Sequence, residues 1–192
     1  MRNNIKQRIT RLKSILDSVV STDINGREYT LDKAIEKSVS RIISIAGNNG
    51  KLILIGNGAS ASIASHIAVD FWKNAGIPAV SFNDAALLTC ISNDYGYEHV
   101  FEKPVEMFAK KKDLLVAISS SGKSENIIKA VNAAKAKGVV VLTLSGFKKD
   151  NPLRSLGDIN FYVPVNEYGY VEVMHHFICH CFVDIISKKK NG

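Results

Sequence analysis

No apolar run in this chain reaches the ~20 residues needed to cross a bilayer. The first residues, MRNNIKQRITRLKS, also lack the apolar stretch of an export leader. The sequence therefore predicts a cytoplasmic protein with no membrane partner. Cysteine is scarce: Cys90, Cys179 and Cys181 are too few, and odd in number, for a disulfide framework. All three have apolar neighbours in sequence, which predicts reduced, buried thiols. Internal repeats, low-complexity segments and linkers are absent too, so the chain reads as one domain over residues 1–192, with a helical hairpin over 1–50 and an α/β core over 51–192. That length buries a core without metal or disulfide staples. The formal charge of +7 is partly local, in Lys110–Lys112 and Lys188–Lys190. Such runs read as solvated faces rather than a nucleic-acid surface, and a basic balance suits an anionic small-molecule substrate.

The chain is organised around Lys51 to Asp70, KLILIGNGASASIASHIAVD. The apolar run Lys51–Ile55, closed by Gly56, reads as a strand buried on both faces. A polar turn, Gly56-Asn57-Gly58-Ala59-Ser60, leads into a helix rich in small residues that can pack closely on a sheet. Strand, glycine turn and helix together offer backbone N–H groups and a helix N-terminus to an anion.

Ahead of this unit, Ile5, Ile9, Leu12, Ile15, Leu16 and Val19 fall at helical spacing, as do Leu31, Ala34, Ile35, Val39, Ile42, Ile43 and Ile45. Asp23, Asn25 and Gly26 break the chain between them. So much apolar helix surface predicts packing against another subunit. Behind it, short apolar runs at Ala79–Phe82, Asp113–Ile118, Val139–Leu144 and Ile159–Val165 alternate with helical patterns, the last over Val171–Ser187. Polar residues Ser92 to Gly96 read as a turn between two of those helices. The fold class is α/β: a doubly wound, five-stranded parallel sheet flanked by helices.

Two loops resemble phosphate-binding motifs without matching them. Gly56-Asn57-Gly58-Ala59-Ser60-Ala61 fits the dinucleotide pattern G-x-G-x-x-A, with Asp84 a little over twenty residues on. It carries side chains at Asn57 and Ser60 where that motif needs bare backbone, and a long helical segment precedes it. The second loop, AISSSGKS over Ala117–Ser124, is placed like a Walker A loop but opens on alanine. The later strand VVVLTLSG supplies no acid to hold magnesium. Ser119, Ser121 and Ser124 instead offer hydroxyls beside a helix N-terminus, a cradle for one phosphate monoester. The plainer alternative is a serine-rich turn in which Ser124 merely caps a helix.

The pair GNGAS…HIAVD and ISSSGKSENIIKA, with SNDYGYEHVF between them, resembles the SIS (sugar isomerase) domain, and within it the phosphoheptose isomerases. The resemblance covers nearly the whole chain. It implies conversion of sedoheptulose 7-phosphate to D-glycero-D-manno-heptose 7-phosphate, in lipopolysaccharide or capsule heptose synthesis, by a homotetramer with sites at subunit interfaces. It assigns phosphate binding to Ser119, Ser121 and Ser124, with Ser120 beside them, and sugar contacts to Asn57, Gly58, Ser60 and Asp94. His66 and His180 match the family's two histidines. Asp70 stands where the family has its catalytic glutamate, and Glu172 where it has glutamine. Some members hold one zinc ion per subunit with this quartet, here His66, Asp70, Glu172 and His180.

The departures carry chemistry. Aspartate for glutamate shortens the reach by about 1.5 Å, and glutamate for glutamine adds a charge that favours a divalent cation. The family's arginine after the catalytic glutamate is Asn74 here, and its basic residue two before Glu172 is Tyr170. From spacing alone, Glu172, His176 and His180 share one helical face, which makes His176 a rival ligand or base, while His175 points elsewhere and reads as a core residue. Aldose–ketose isomerisation needs two acid–base groups flanking adjacent carbons and a phosphate anchor to set register. Asp70 and His180 are expected to shuttle the proton through an enediol. The alternative is a non-catalytic member of the family, either a tetrameric adaptor on a replication initiator or a phosphosugar sensor.

Overall fold

A computed structural model describes residues 5–191; residues 1–4 and 192 of the expected 1–192 span lie outside the described residues. The helices are α1 (Ile5–Asp17), α2 (Leu31–Gly47), α3 (Ala59–Asp70), α4 (Ala85–Tyr95), α5 (Glu102–Phe108), α6 (Glu125–Ala136) and α7 (Tyr168–Asn191). The strands are β1 (Val20–Asp23), β2 (Glu28–Tyr29), β3 (Leu52–Gly56), β4 (Ala79–Ser81), β5 (Leu114–Ser119), β6 (Val140–Gly146) and β7 (Ile159–Val163). They form a single sheet in the order β2-β1-β7-β6-β5-β3-β4. The five strands from β7 to β4 run parallel, as the apolar runs predict.

Both N-terminal helices are present, but the segment between them is not a plain turn. Asp23 Oδ1 accepts the N–H groups of Asn25 and Arg27 at 2.9 and 3.0 Å, and its Oδ2 accepts the Tyr29 hydroxyl at 2.9 Å. That bracing closes a hairpin, β1–β2, which extends the sheet antiparallel to β7. A helical hairpin over 1–50 is thereby corrected: α1 and α2 both pack against α7. The residues Ser92 to Tyr95 likewise continue α4, which stops only at Gly96, where φ is +95°. Cys90, expected buried, is exposed on α4; Cys181 is half-buried, and Cys179 is buried.

Alternation along the strands feeds two cores. Leu52, Leu54, Val116, Leu142 and Phe161 face α2, α3 and α7. Ile53, Ile55, Leu115 and Val141 face α5 and α6. Coverage on both sides is why β3 and β5 are apolar at nearly every position. Asp113 fixes their shared start, accepting from Lys51 N at 3.0 Å, Lys51 Nζ at 2.5 Å and Lys110 N at 2.8 Å. Burial works to raise its carboxyl, but these hydrogen bonds hold it below the ordinary carboxylate range. With the starts pinned and Gly56 level with Ile118, the loops leaving β3 and β5 emerge side by side. The chain leaves β3 toward β4 and returns to β5 on the other flank, so this is the switch point of the sheet, where such folds bind ligands.

Candidate active site

The two loops enclose a cavity of about 250 Å³. Asn57, Gly58 and Ser60 line it from the β3–α3 loop, Ser119, Ser120, Ser121 and Ser124 from the β5–α6 loop, and Tyr168 and Glu172 from α7. The serine loop is folded tightly. Ser119 Oγ accepts Gly122 N–H at 3.2 Å and lies 3.3 Å from Ser124 Oγ. Gly122 has φ +62°, and a Cβ there would run into the buried Asn151 side chain, so glycine is required. Ser124 stands at the N-cap of α6 but makes no side-chain capping bond. Its hydroxyl is turned to Ser119 instead, against the plain capping alternative. Ser120 Oγ is buried with no hydrogen-bond partner among the described residues.

On the opposite wall, Asn57 is fixed by a buried side chain that the sequence did not single out. Asn57 and Asn126 exchange amide hydrogen bonds, each 2.9 Å, and the Tyr97 hydroxyl donates to Asn57 Oδ1 at 3.0 Å. Asn126 looks like an ordinary polar residue of a helical first turn, and nothing in its spacing marks it. Tyr168 was equally unmarked. Asp94, expected to line the pocket, is exposed on α4, where its carboxylate accepts from Asn93 Nδ2 at 2.9 Å; it does not line this cavity.

A second cluster lies farther along α7, beside the end of α3. Glu172, His176 and His180 follow one another at successive turns, about 6 Å apart along the helix axis. His66 on α3 meets them: its ring centroid is 5.3 Å from that of His176 and 5.5 Å from that of His180, and the latter two are 4.6 Å apart. Nitrogens of these three histidines lie within 4.8 Å of one another, a possible three-histidine metal site. Asp70 Oδ2 stands 3.3 Å from His66 Nε2 and 3.7 Å from His180 Nδ1, and Asn74 donates to Asp70 Oδ1 at 3.2 Å. With the His66 side chain 53% exposed, this is not a buried structural pair. Burial pushes the His176 imidazole down, and the neighbouring His180 and His66 add to this while Asp70 opposes it.

His175 faces the other way, as expected of a core residue. It is fully buried, with Nε2 3.1 Å from the Ser145 carbonyl, and burial lowers it to about 4. Burial pushes the Cys179 thiol up to about 12, which keeps it unreactive. The fit to a metal is chemical: three imidazoles are typical zinc donors, and the His176 Nε2 atom is buried without a hydrogen-bond partner among the described residues.

Comparison with known proteins bears on this geometry. The SIS domain family model matches residues 20–146. The phosphoheptose isomerase of Helicobacter pylori (strain Shi470) is 37% identical over 187 residues, covering 91% of this chain and 97% of that protein. That of Helicobacter hepaticus is 33% identical, covering 94% and 97%. Among solved structures, the phosphoheptose isomerase of Neisseria gonorrhoeae superimposes with a TM-score of 0.80 at 28% identity, covering 95% of this chain and 99% of that one. The enzyme from Francisella tularensis gives 0.75 at 31%, covering 81% and 86%. The chain belongs to the SIS domain family, among the sugar-phosphate isomerases of the phosphoheptose type.

Proposed function

We propose that this protein interconverts sedoheptulose 7-phosphate and D-glycero-D-manno-heptose 7-phosphate in the cytoplasm, for lipopolysaccharide or capsule heptose synthesis. One observation carries the reading: α7 links a serine-lined anion cavity to an acid–base cluster along one helical face, through Glu172, His176 and His180. The phosphate is anchored by Ser119, Ser121 and Ser124, with the unpartnered Ser120 hydroxyl available to it. Asn57 and Ser60 hold sugar hydroxyls from the facing loop, and Glu172 accepts from hydroxyls between the two ends. The carbonyl end of the chain then falls at Asp70 and His180.

Asp70 takes the proton from the carbon beside the carbonyl, and His180 returns one to the neighbouring carbon of the enediol. Asn74 and the two flanking histidines orient the shorter aspartate. A zinc ion, when bound to this cluster, would polarise the carbonyl oxygen. The assembly read here is a homotetramer with sites at its interfaces, a reading supported by the exposed apolar side chains Val69 on α3, Trp72 in the turn after it, and Val173 and Phe177 on α7.

Proton NMR in D₂O with sedoheptulose 7-phosphate tests the reading directly. New aldose signals and deuterium entering at C1 are the expected result. Binding without exchange would replace the heptose by another ketose phosphate, and no binding at all would sink the isomerase in favour of a non-catalytic adaptor.

A further inference from the structure

We infer that Tyr97 is a positioning residue of the serine-lined cavity. Together with Asn126 it fills both lone pairs of Asn57 Oδ1, so that Asn57 meets a ligand as a donor only. Asn57 Oδ1 accepts from Asn126 Nδ2 at 2.9 Å and from the Tyr97 hydroxyl at 3.0 Å, and an amide oxygen has two lone pairs. One Nδ2 hydrogen of Asn57 goes to Asn126 Oδ1, also at 2.9 Å. The orientation of this amide pair is set from outside it. Asn126 Oδ1 also accepts from the Ile127 N–H at 3.0 Å, and a backbone N–H can only donate, so that end of the Asn126 amide is its oxygen. The reciprocal pairing then fixes which end of Asn57 is oxygen. What remains is the second Nδ2 hydrogen, without a partner among the described residues, on a side chain that lines the cavity.

The segment SNDYGYEHVF is shaped to hold Tyr97 at Asn57. Gly96 has φ +95°, and a Cβ on it would stand 2.6 Å from Glu98 Oε2, so the bend that precedes Tyr97 needs glycine. After the short 3₁₀ turn Tyr97–His99, Val100 and Phe101 are buried in the core beneath α5 and α6, and His99 Nδ1 bonds to the Glu102 carboxylate. The Tyr97 side chain itself is 53% exposed and outside that core, so its hydroxyl contact to Asn57 is not a by-product of packing. The consequence is a rule for the ligand. Asn57 takes an oxygen lone pair, and the Glu172 carboxylate on the same cavity takes a hydroxyl hydrogen. A sugar hydroxyl satisfies either group, whereas an ammonium substituent beside Asn57 would face a donor with a donor.

This role deepens the proposed function and rests on it only for the identity of the sugar. Tyr97→Phe keeps the ring and removes the hydroxyl. In ¹⁵N-labelled full-length protein without ligand, it should shift the Asn57 side-chain amide signals, which are assigned by their loss in Asn57→Ala. Calorimetry with sedoheptulose 7-phosphate then gives the second readout. Tyr97→Phe should weaken binding by roughly two- to tenfold, the worth of one neutral hydrogen bond. Made in the Asn57→Ala background, the same change should cost nothing further, because Tyr97 acts only through Asn57. Asn57 amide signals left unmoved by Tyr97→Phe would overturn the inference, and so would an equal loss of affinity in both backgrounds. A parent that binds no sugar phosphate would sink the proposed function instead, and the amide signals would then decide the role of Tyr97 alone.

Discussion

The serine cavity and the histidine cluster differ in how finished they are. In the cavity, the loops are already braced and the Ser120 hydroxyl is left for a ligand: Ser119 braces Gly122, Asn126 braces Asn57, and Asn151 packs against the glycine turn. The cluster is open. His66 is half exposed, His176 Nε2 has no hydrogen-bond partner among the described residues, and exposed Trp72 and Phe177 lie just after α3 and on α7. A phosphate monoester is one shape and one charge, so its cradle can be built rigid in a single chain. The reacting end must accommodate two isomers and a moving proton, and its loose ends are what a substrate, a cation or a second subunit would complete.

The sharpest way to break this comparison is to disable one region and ask whether the other notices. Asp70→Asn keeps size and the contact to Asn74 but removes the base. Turnover is expected to fall by about 10²–10⁴-fold, with phosphosugar binding by calorimetry nearly unchanged. Loss of binding instead would mean that the cluster helps to form the cavity. Acid should separate the two neighbouring histidines of α7 next. His175 is held at about 4 in the fold and returns to about 6.5 when unfolded. The unfolded chain therefore takes up a proton that the native protein refuses. This stabilisation is complete above pH 6.5, declines as pH falls toward 4, and amounts to roughly 3 kcal/mol. Urea midpoints across that range should drop steeply in the parent and less steeply in His175→Phe; equal slopes would show that His175 is not the group responsible.

Strands β3, β5, β6 and β7 were legible because burial on both faces writes continuous apolar runs. The hairpin β1–β2 was not, since VSTD and EY are too short to show alternation and exist as strands only beside β7. On α7, spacing alone put Glu172, His176 and His180 in a row. Spacing could not say where along that row the anion cavity ends and the cluster begins, because that depends on the crossing with α3. Ser92 to Tyr95 misled for a related reason: a polar run that reads as a turn continues a helix, and Asp94, which the resemblance assigns to the sugar, is exposed on it.

Smaller effects sharpen the picture of the cradle. Ser124→Ala removes one hydroxyl donor to a charged ligand, a loss of about 1.5–3 kcal/mol. KM should rise by about ten- to a hundredfold, with kcat nearly constant if the phosphate only anchors. A fall in kcat of the same size would mean that anchoring also sets register at the reacting carbons.

Asn126→Ala is the mildest test and the one that asks most of the geometry. Asn126 touches the sugar only through Asn57, and its loss leaves the Asn57 amide with the Tyr97 hydroxyl as its remaining partner. One neutral hydrogen bond is worth about 1 kcal/mol, so KM should increase severalfold while chemistry at Asp70 continues. Asn126→Asp separates position from mere packing. It keeps the shape and can still accept the Asn57 Nδ2 hydrogen, but it cannot donate to Asn57 Oδ1, and it adds a negative charge close to a phosphate site. If Asn126 acts by orienting Asn57, the aspartate should bind the phosphosugar more weakly than the alanine variant, and the gap should narrow as added salt screens the charge. Equal KM values for the two variants would show that Asn57 keeps its orientation without this partner.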